Sequence, residues 1–171
     1  MITWMFFPRS IACPDELLAV VETFMSVENL IDSETHLKQE SNDVLAKVSE
    51  DLLNLGFEVE TGKKSDEKIF VPVLFGANGR VEKHFDADAW HREWGIVLEV
   101  EAGRALMNNQ FLKDLFQASM MHGVDYCAIA VRNIYQPGKS KDFEKISTFI
   151  ETMYASDRLR LPLKGILLIG Y

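Results

Sequence analysis

Between Asp86 and Arg104 the chain reads DADAWHREWGIVLEVEAGR, and this stretch restricts the fold more than any other. The apolar run Ile96 to Val100 is interrupted by Glu99 and closed by Glu101. In a strand, residues i and i+2 share a face, so Glu99 and Glu101 project together while Ile96, Leu98 and Val100 project the other way. Asp86 and Asp88 repeat the arrangement, with Phe85, Ala87 and Ala89 opposite. If the two strands are neighbours, three or four carboxylates converge on one patch. Like charges that close repel, and the usual remedies are a bound cation or protonation of one member. The cation is the working expectation.

The remaining chain supplies a mixed α/β frame for that patch. Pro14-Asp15-Glu16 opens a helix, with Leu17, Val20, Val21, Phe24 and Val27 at helical spacing. Asp32 or Ser33 is the expected cap of a second helix that carries Leu37, Val44, Leu45, Val48, Leu52 and Leu55 inward and stops at Gly56. Glu40 falls three residues after Leu37 and four before Val44, which puts it on that inward stripe. Strands are expected at Phe57 to Thr61, Ile69 to Phe75, Val81 to Trp90, Ile96 to Val100, Val124 to Val131 and Gly165 to Ile169. Asn78-Gly79 marks a hairpin, and Pro72 implies an edge or a bulge. A helix begins at Asn108 or Asn109, with Phe111, Leu112, Leu115, Phe116 and Met120 inward, and another spans Phe143 to Tyr154. Helical crossovers between the late strands imply parallel pairing there, so the sheet is expected to be mixed.

Composition excludes several classes. At 171 residues and 47% hydrophobic, with a mean hydropathy of -0.03, the chain reads as one soluble globular domain over 1–171. No run is long enough to span a bilayer. Met1 to Phe7 is apolar but lacks a basic leader and is cut by Pro8-Arg9, so it reads as a first strand or packed arm. Cys13 and Cys127 have neither disulfide-framework nor zinc spacing, and a cytoplasmic location is expected. The net charge of -8 argues against a general nucleic-acid binder, but the charge is uneven. Residues 1–103 hold nine Lys and Arg against twenty Asp and Glu (-11), whereas 104–171 hold nine against six (+3). Bound divalent cations would change the local sign again.

With Asp88-Ala89 as the first half and Glu99-Val100-Glu101 as the second, the residues resemble the PD-(D/E)XK nuclease superfamily, to which most type II restriction endonucleases belong. The resemblance covers roughly Thr35 to Arg132 by order of elements, leaving an N-terminal helical extension and a C-terminal helix and strand. It implies a restriction-endonuclease-like core with a mixed central sheet flanked by helices. Glu101 stands where the superfamily usually has Lys. The BamHI-type variant also carries Glu there and uses an acid from the preceding helix, for which Glu40 is the matching candidate.

The resemblance implies a nuclease that hydrolyses phosphodiester bonds, with double-stranded DNA as partner, Mg²⁺ or Mn²⁺ as cofactor and a homodimer providing two centres for two strands. Asp88, Glu99 and the Val100 carbonyl are the expected metal ligands, with Asp86 the alternative to Asp88. Glu101 would orient or deprotonate the water. Glu40 would complete a second site or hold a bridging water. Arg104 is the first candidate for a phosphate contact, followed by Lys63, Lys64 and Arg132. His84 and His91 flank the acids and read as surface or supporting residues, Trp90 and Trp94 as packing, and Cys127 as core. The rival reading is a catalytically inactive nuclease-fold domain used for interaction or assembly. A weaker one is another metal-dependent phosphoester enzyme on an unrelated α/β fold.

Overall fold

The structure is a computed structural model that describes residues 1–62, 64–103, 105–106, 108–135 and 140–171. Strand β1 (Thr3–Phe7) is followed by helices α1 (Asp15–Ser26), α2 (Glu28–Ile31) and α3 (Ser41–Leu55). The short β2 (Glu58–Val59) leads to a hairpin of β3 (Ile69–Phe75) and β4 (Val81–Ala87), then to β5 (Ala89–His91) and β6 (Ile96–Glu101). Helix α4 (Gln110–Met120), β7 (Tyr126–Val131), α5 (Asp142–Ser156) and β8 (Gly165–Gly170) complete the order.

Six strands form one mixed sheet in the order β1-β8-β7-β6-β5-β2, and β3 with β4 forms a separate two-stranded sheet. Strands β6, β7 and β8 are parallel, as the crossovers at α4 and α5 require, while β1, β5 and β2 pair antiparallel. The parallel strands are buried on both faces, which is why their sequences are nearly continuous apolar runs. One face packs Leu98, Val100, Ala128 and Leu167 against α1 and α3. The other packs Val97, Cys127, Ile129 and Leu168 against α4 and α5.

The frame departs from the expected one in four places. The second helix starts at Ser41 and not near Asp32, whose Oδ1 instead accepts the Glu34 N–H at 2.9 Å. The intervening loop is held from outside: Arg132 Nη1 donates to the Leu37 carbonyl at 2.8 Å and Nη2 to that of Gln39. A helix through 37–39 would have used those carbonyls itself. Leu37 is accordingly exposed. Strand Phe57 to Thr61 shrinks to Glu58–Val59. On α4, Phe116 and Met120 face outward, and Asp114 and Ala118 take buried positions beside Phe111 and Leu115.

The fourth departure sets up the site. The expected strand Val81 to Trp90 is two strands, broken at Asp88: β4 belongs to the hairpin and β5 to the central sheet. Pro72 lies at a register shift in the hairpin, and Asn78 (φ 60°) and Gly79 (φ 72°) make its turn in the left-handed region. Gly56 ends α3 at φ 100°.

Candidate active site

The break at Asp88 leaves part of β6 without a neighbour on that edge. β5 pairs with β6 only from Ala89↔Leu98 to His91↔Ile96, so the Val100 N–H has no strand to donate to. The Asp88 carboxylate takes the place of the missing strand, with Oδ2 accepting that N–H at 2.7 Å. In a strand, the N–H and C=O of one residue leave the same edge, so the Val100 carbonyl faces the same gap. Asp88, Glu99, Val100 and Glu101 line an open cavity of about 400 Å³ together with Asp114, and Asp86, Glu60, Lys68, Lys113 and Gln110 also face it.

Every carboxyl at the centre of this cavity is held above its ordinary pKa. Burial raises Asp88 to about 6, partly opposed by the Val100 N–H and reinforced by Glu60 and Asp114. Burial pushes Glu99 well up, and the charges of Asp88, Asp114 and Glu101 add to it. Glu101 is pushed to about 8 by burial, then by Asp114 and Asp88. Asp114 reaches about 6 through burial, against the pull of Lys113 and a hydrogen bond from Gln110 Nε2 at 3.2 Å. Burial and mutual crowding thus hold these acids towards their protonated form.

The structure brings Asp88, Glu99, Val100 and Glu101 together and leaves Asp86 at the rim. Asp86 is exposed and sits 4.0 Å from Lys68 Nζ, which pairs more closely with Glu60 at 2.8 Å. Glu40 is not on an inward stripe. It occupies the N-cap of α3, solvent-exposed, and lines a neighbouring cavity of about 570 Å³ that shares Ser41, Glu101 and Gln110 with the first. Its displacement follows from the later start of the helix.

Of the expected phosphate contacts, Lys63 and Arg104 lie outside the described residues. Lys64 is exposed, just ahead of the 3-10 turn Ser65–Glu67. Arg132 is a correction: it is 2% exposed and its guanidinium is committed to the Leu37 and Gln39 carbonyls. His91 is a buried residue, while His84 is exposed at the edge of the cavity and packs at a tilt against Phe70. Cys127 is core.

Asp114, Lys113, Lys68 and Glu60 were not among the expected site residues. Asp114 had a readable signal, since it lies three residues after Phe111 and four before Ala118 on the stripe that α4 buries. Lys68 and Glu60 had none, because their pairing depends on how β2 and the hairpin pack.

The donors at the cleft are carboxylate and carbonyl oxygens, the set that Mg²⁺ and Mn²⁺ prefer. Among the described residues, no three Asp, Glu, His or Cys side chains already converge at ligand spacing. The described residues include no helix long and apolar enough to cross a membrane.

No protein-family model matches the chain, and no curated protein matches it by sequence. Among solved structures it is similar to the restriction endonuclease BglII complexed with a DNA 16-mer, with a TM-score of 0.57 and 14% identity over 99% of this chain and 77% of that one. At that identity the likeness is one of fold, and the fold is restriction-endonuclease-like: a mixed six-stranded sheet between helices.

Proposed function

We propose that the chain is a metal-dependent nuclease that hydrolyses phosphodiester bonds in double-stranded DNA. One observation carries the reading: at the strand break of a restriction-endonuclease-like fold, Asp88, Glu99 and Glu101 face one open cleft, each held above its ordinary pKa. Asp88, Glu99 and the Val100 carbonyl would hold Mg²⁺ or Mn²⁺, with Asp86 as the alternative to Asp88. When bound, the ion polarises the phosphate and makes water more acidic.

The chain's own groups do the rest. Glu101 orients the attacking water and takes its proton at the carboxylate, in place of the Lys common in the superfamily. The water oxygen bonds to phosphorus, the ester P–O bond breaks, and the departing sugar oxygen is protonated from solvent. Lys68 and Lys113 bring positive charge to the cavity from outside the E-x-E segment and attract phosphate oxygens. Lys63, Lys64 and Arg104 are further candidates for the flanking backbone. Glu40 stands across the neighbouring cavity, where it would hold a water against Glu101. A homodimer would present two such clefts to two strands.

The test is nicking of supercoiled plasmid by purified protein in Mg²⁺ or Mn²⁺. Nicking by the wild type and none by Glu99→Ala is the expected result. Nicking that survives Glu99→Ala puts the chemistry elsewhere, and no nicking in either ion favours the inactive interaction module.

A further inference from the structure

Glu101 is the last residue of β6 that pairs with β7, and beyond it the chain leaves the sheet. Where a peptide group leaves a ladder, its polar atoms need other partners. For the peptide between Glu101 and Ala102, those partners are side-chain hydroxyls from two distant elements. Tyr171, just past β8, donates its hydroxyl to the Glu101 carbonyl at 3.1 Å. Ser41, the first residue of α3, accepts the Ala102 N–H on Oγ at 3.1 Å.

Tyr171 is itself held in place. It is 1% exposed, its N–H donates to the Val131 carbonyl at 3.0 Å, and its carbonyl accepts the Asn133 N–H at 2.8 Å. That carbonyl also accepts the hydroxyl of Ser33, from the loop ahead of α3. Burial raises the phenol pKa against the pull of the Arg132 charge, so the hydroxyl keeps its proton and can donate. Arg132 serves both sides, since its guanidinium lies beside that hydroxyl and also bonds the Gln39 carbonyl, shortly ahead of Ser41. A planar peptide held at both polar atoms has a fixed orientation, and the direction in which Glu101 projects its side chain follows from it.

We infer that Tyr171 and Ser41 are positioning residues, whose hydroxyls clamp the Glu101–Ala102 peptide and so set where the Glu101 carboxyl stands in the cleft. This rests on the nuclease reading above, in which Glu101 orients the attacking water. Each residue acts through the Glu101 backbone and not on the phosphate. Misplacing a reacting group by about 1 Å costs on the order of 10²-fold in rate, so losing either bond lowers turnover without weakening DNA binding.

The test is kcat and KM for nicking of supercoiled plasmid in Mg²⁺, read beside the Ala102 backbone amide in NMR spectra without metal or DNA. Tyr171→Phe is expected to lower kcat about ten-fold or more and Ser41→Ala several-fold, each with KM within about two-fold of wild type. Ser41→Thr, which restores a hydroxyl, should recover the rate. The Ala102 resonance should shift in Tyr171→Phe, and its hydrogen exchange should quicken in Ser41→Ala. Tyr126→Phe, the same deletion at the opposite end of β7, should change neither rate nor resonance. If Tyr171→Phe gives no cooperative melt, the Ser41 variants decide alone. A wild-type kcat in either folded variant overturns the inference and leaves the nuclease reading intact. So does an unmoved Ala102 amide, or an equal loss of rate in Tyr126→Phe, which would mean general loosening. No nicking by wild type overturns both.

Discussion

The two ends of β6 bury polar groups in opposite ways. At the Ile96 end, His91 is 6% exposed, and both ring nitrogens have partners: Nε2 bonds the Leu55 carbonyl at 3.1 Å, and Nδ1 accepts the Trp94 N–H at 3.1 Å. Its ring stacks on Trp94 at 4.0 Å and meets the edge of Phe57 at 5.1 Å. At the Glu101 end, a few residues along the same strand, Glu99, Glu101, Asp88 and Asp114 are all held above their usual pKa, chiefly by burial. The first end shows that this fold can bury a polar side chain with its bonding complete. The second instead buries several acids together and holds them towards the protonated form.

The largest effect should separate the ends by their response to one neutralised group. Glu99→Gln is expected to reduce plasmid nicking on the order of 10³-fold. It should also raise the metal-free melting temperature at pH 8, because it replaces a buried acid whose ionisation the cluster opposes with a neutral group. A variant that loses both activity and stability would make Glu99 a structural residue, and the contrast would collapse.

The opposite response is expected at the other end. His91→Ala removes a stacked ring and leaves the Leu55 carbonyl and the Trp94 N–H buried without partners, at a cost of roughly 2 to 4 kcal/mol. Its urea midpoint should fall by that amount, while nicking per folded molecule stays within about two-fold of wild type. A selective loss of activity with stability unchanged would move His91 into the site.

A comparable effect follows from pH. Asp88 and Asp114, at about 6, and Glu101, at about 8, hold protons more tightly in the folded chain than the unfolded values near 4. Their contribution is fully present below about pH 4 and is lost as pH rises through 6 to 8. Metal-free protein should therefore be less stable at pH 8 than at pH 5, by several kcal/mol at about 1.4 kcal/mol per pH unit for each proton lost, and millimolar Mg²⁺ should recover part of the loss at pH 8. Urea titrations at the two pH values measure it. A flat or rising profile would mean that the cluster is already neutralised.

Much of this was legible in the sequence because it rests on local periodicity. Glu99 interrupting an apolar strand, Gly56 closing α3, and the Asn78-Gly79 turn each depend on a few neighbouring residues. What was not legible depends on distant partners. The start of α3 moved to Ser41 because Arg132, far along the chain, binds the 37–39 loop, and that one contact carried Glu40 off the expected stripe. The split at Asp88 arises where a chain leaves one sheet for another, a choice that alternation along the strand does not encode. Asp114 obeyed the stripe rule applied to Glu40 and could have been found by applying it to the later helix.

The smallest effect tests whether charge in itself distinguishes the ends. Near His91, Arg92 pairs with Glu58 through Nε and Nη2, the latter at 3.2 Å, and its guanidinium lies 4.2 Å over the Trp90 ring. The pair holds the Glu58 carboxyl below its usual range, chiefly through the Arg92 hydrogen bond. Both side chains are largely in water, 62% and 45% exposed, so solvent screens the pair. Glu58→Gln is expected to change the urea midpoint by less than about 1 kcal/mol, and less still in high salt, because the Arg92 stack on Trp90 remains. A loss well above that would show that the opposite charges at this end are as strongly coupled as the like charges at the other. The two ends would then differ only in the sign of the coupling and not in how far water reaches them.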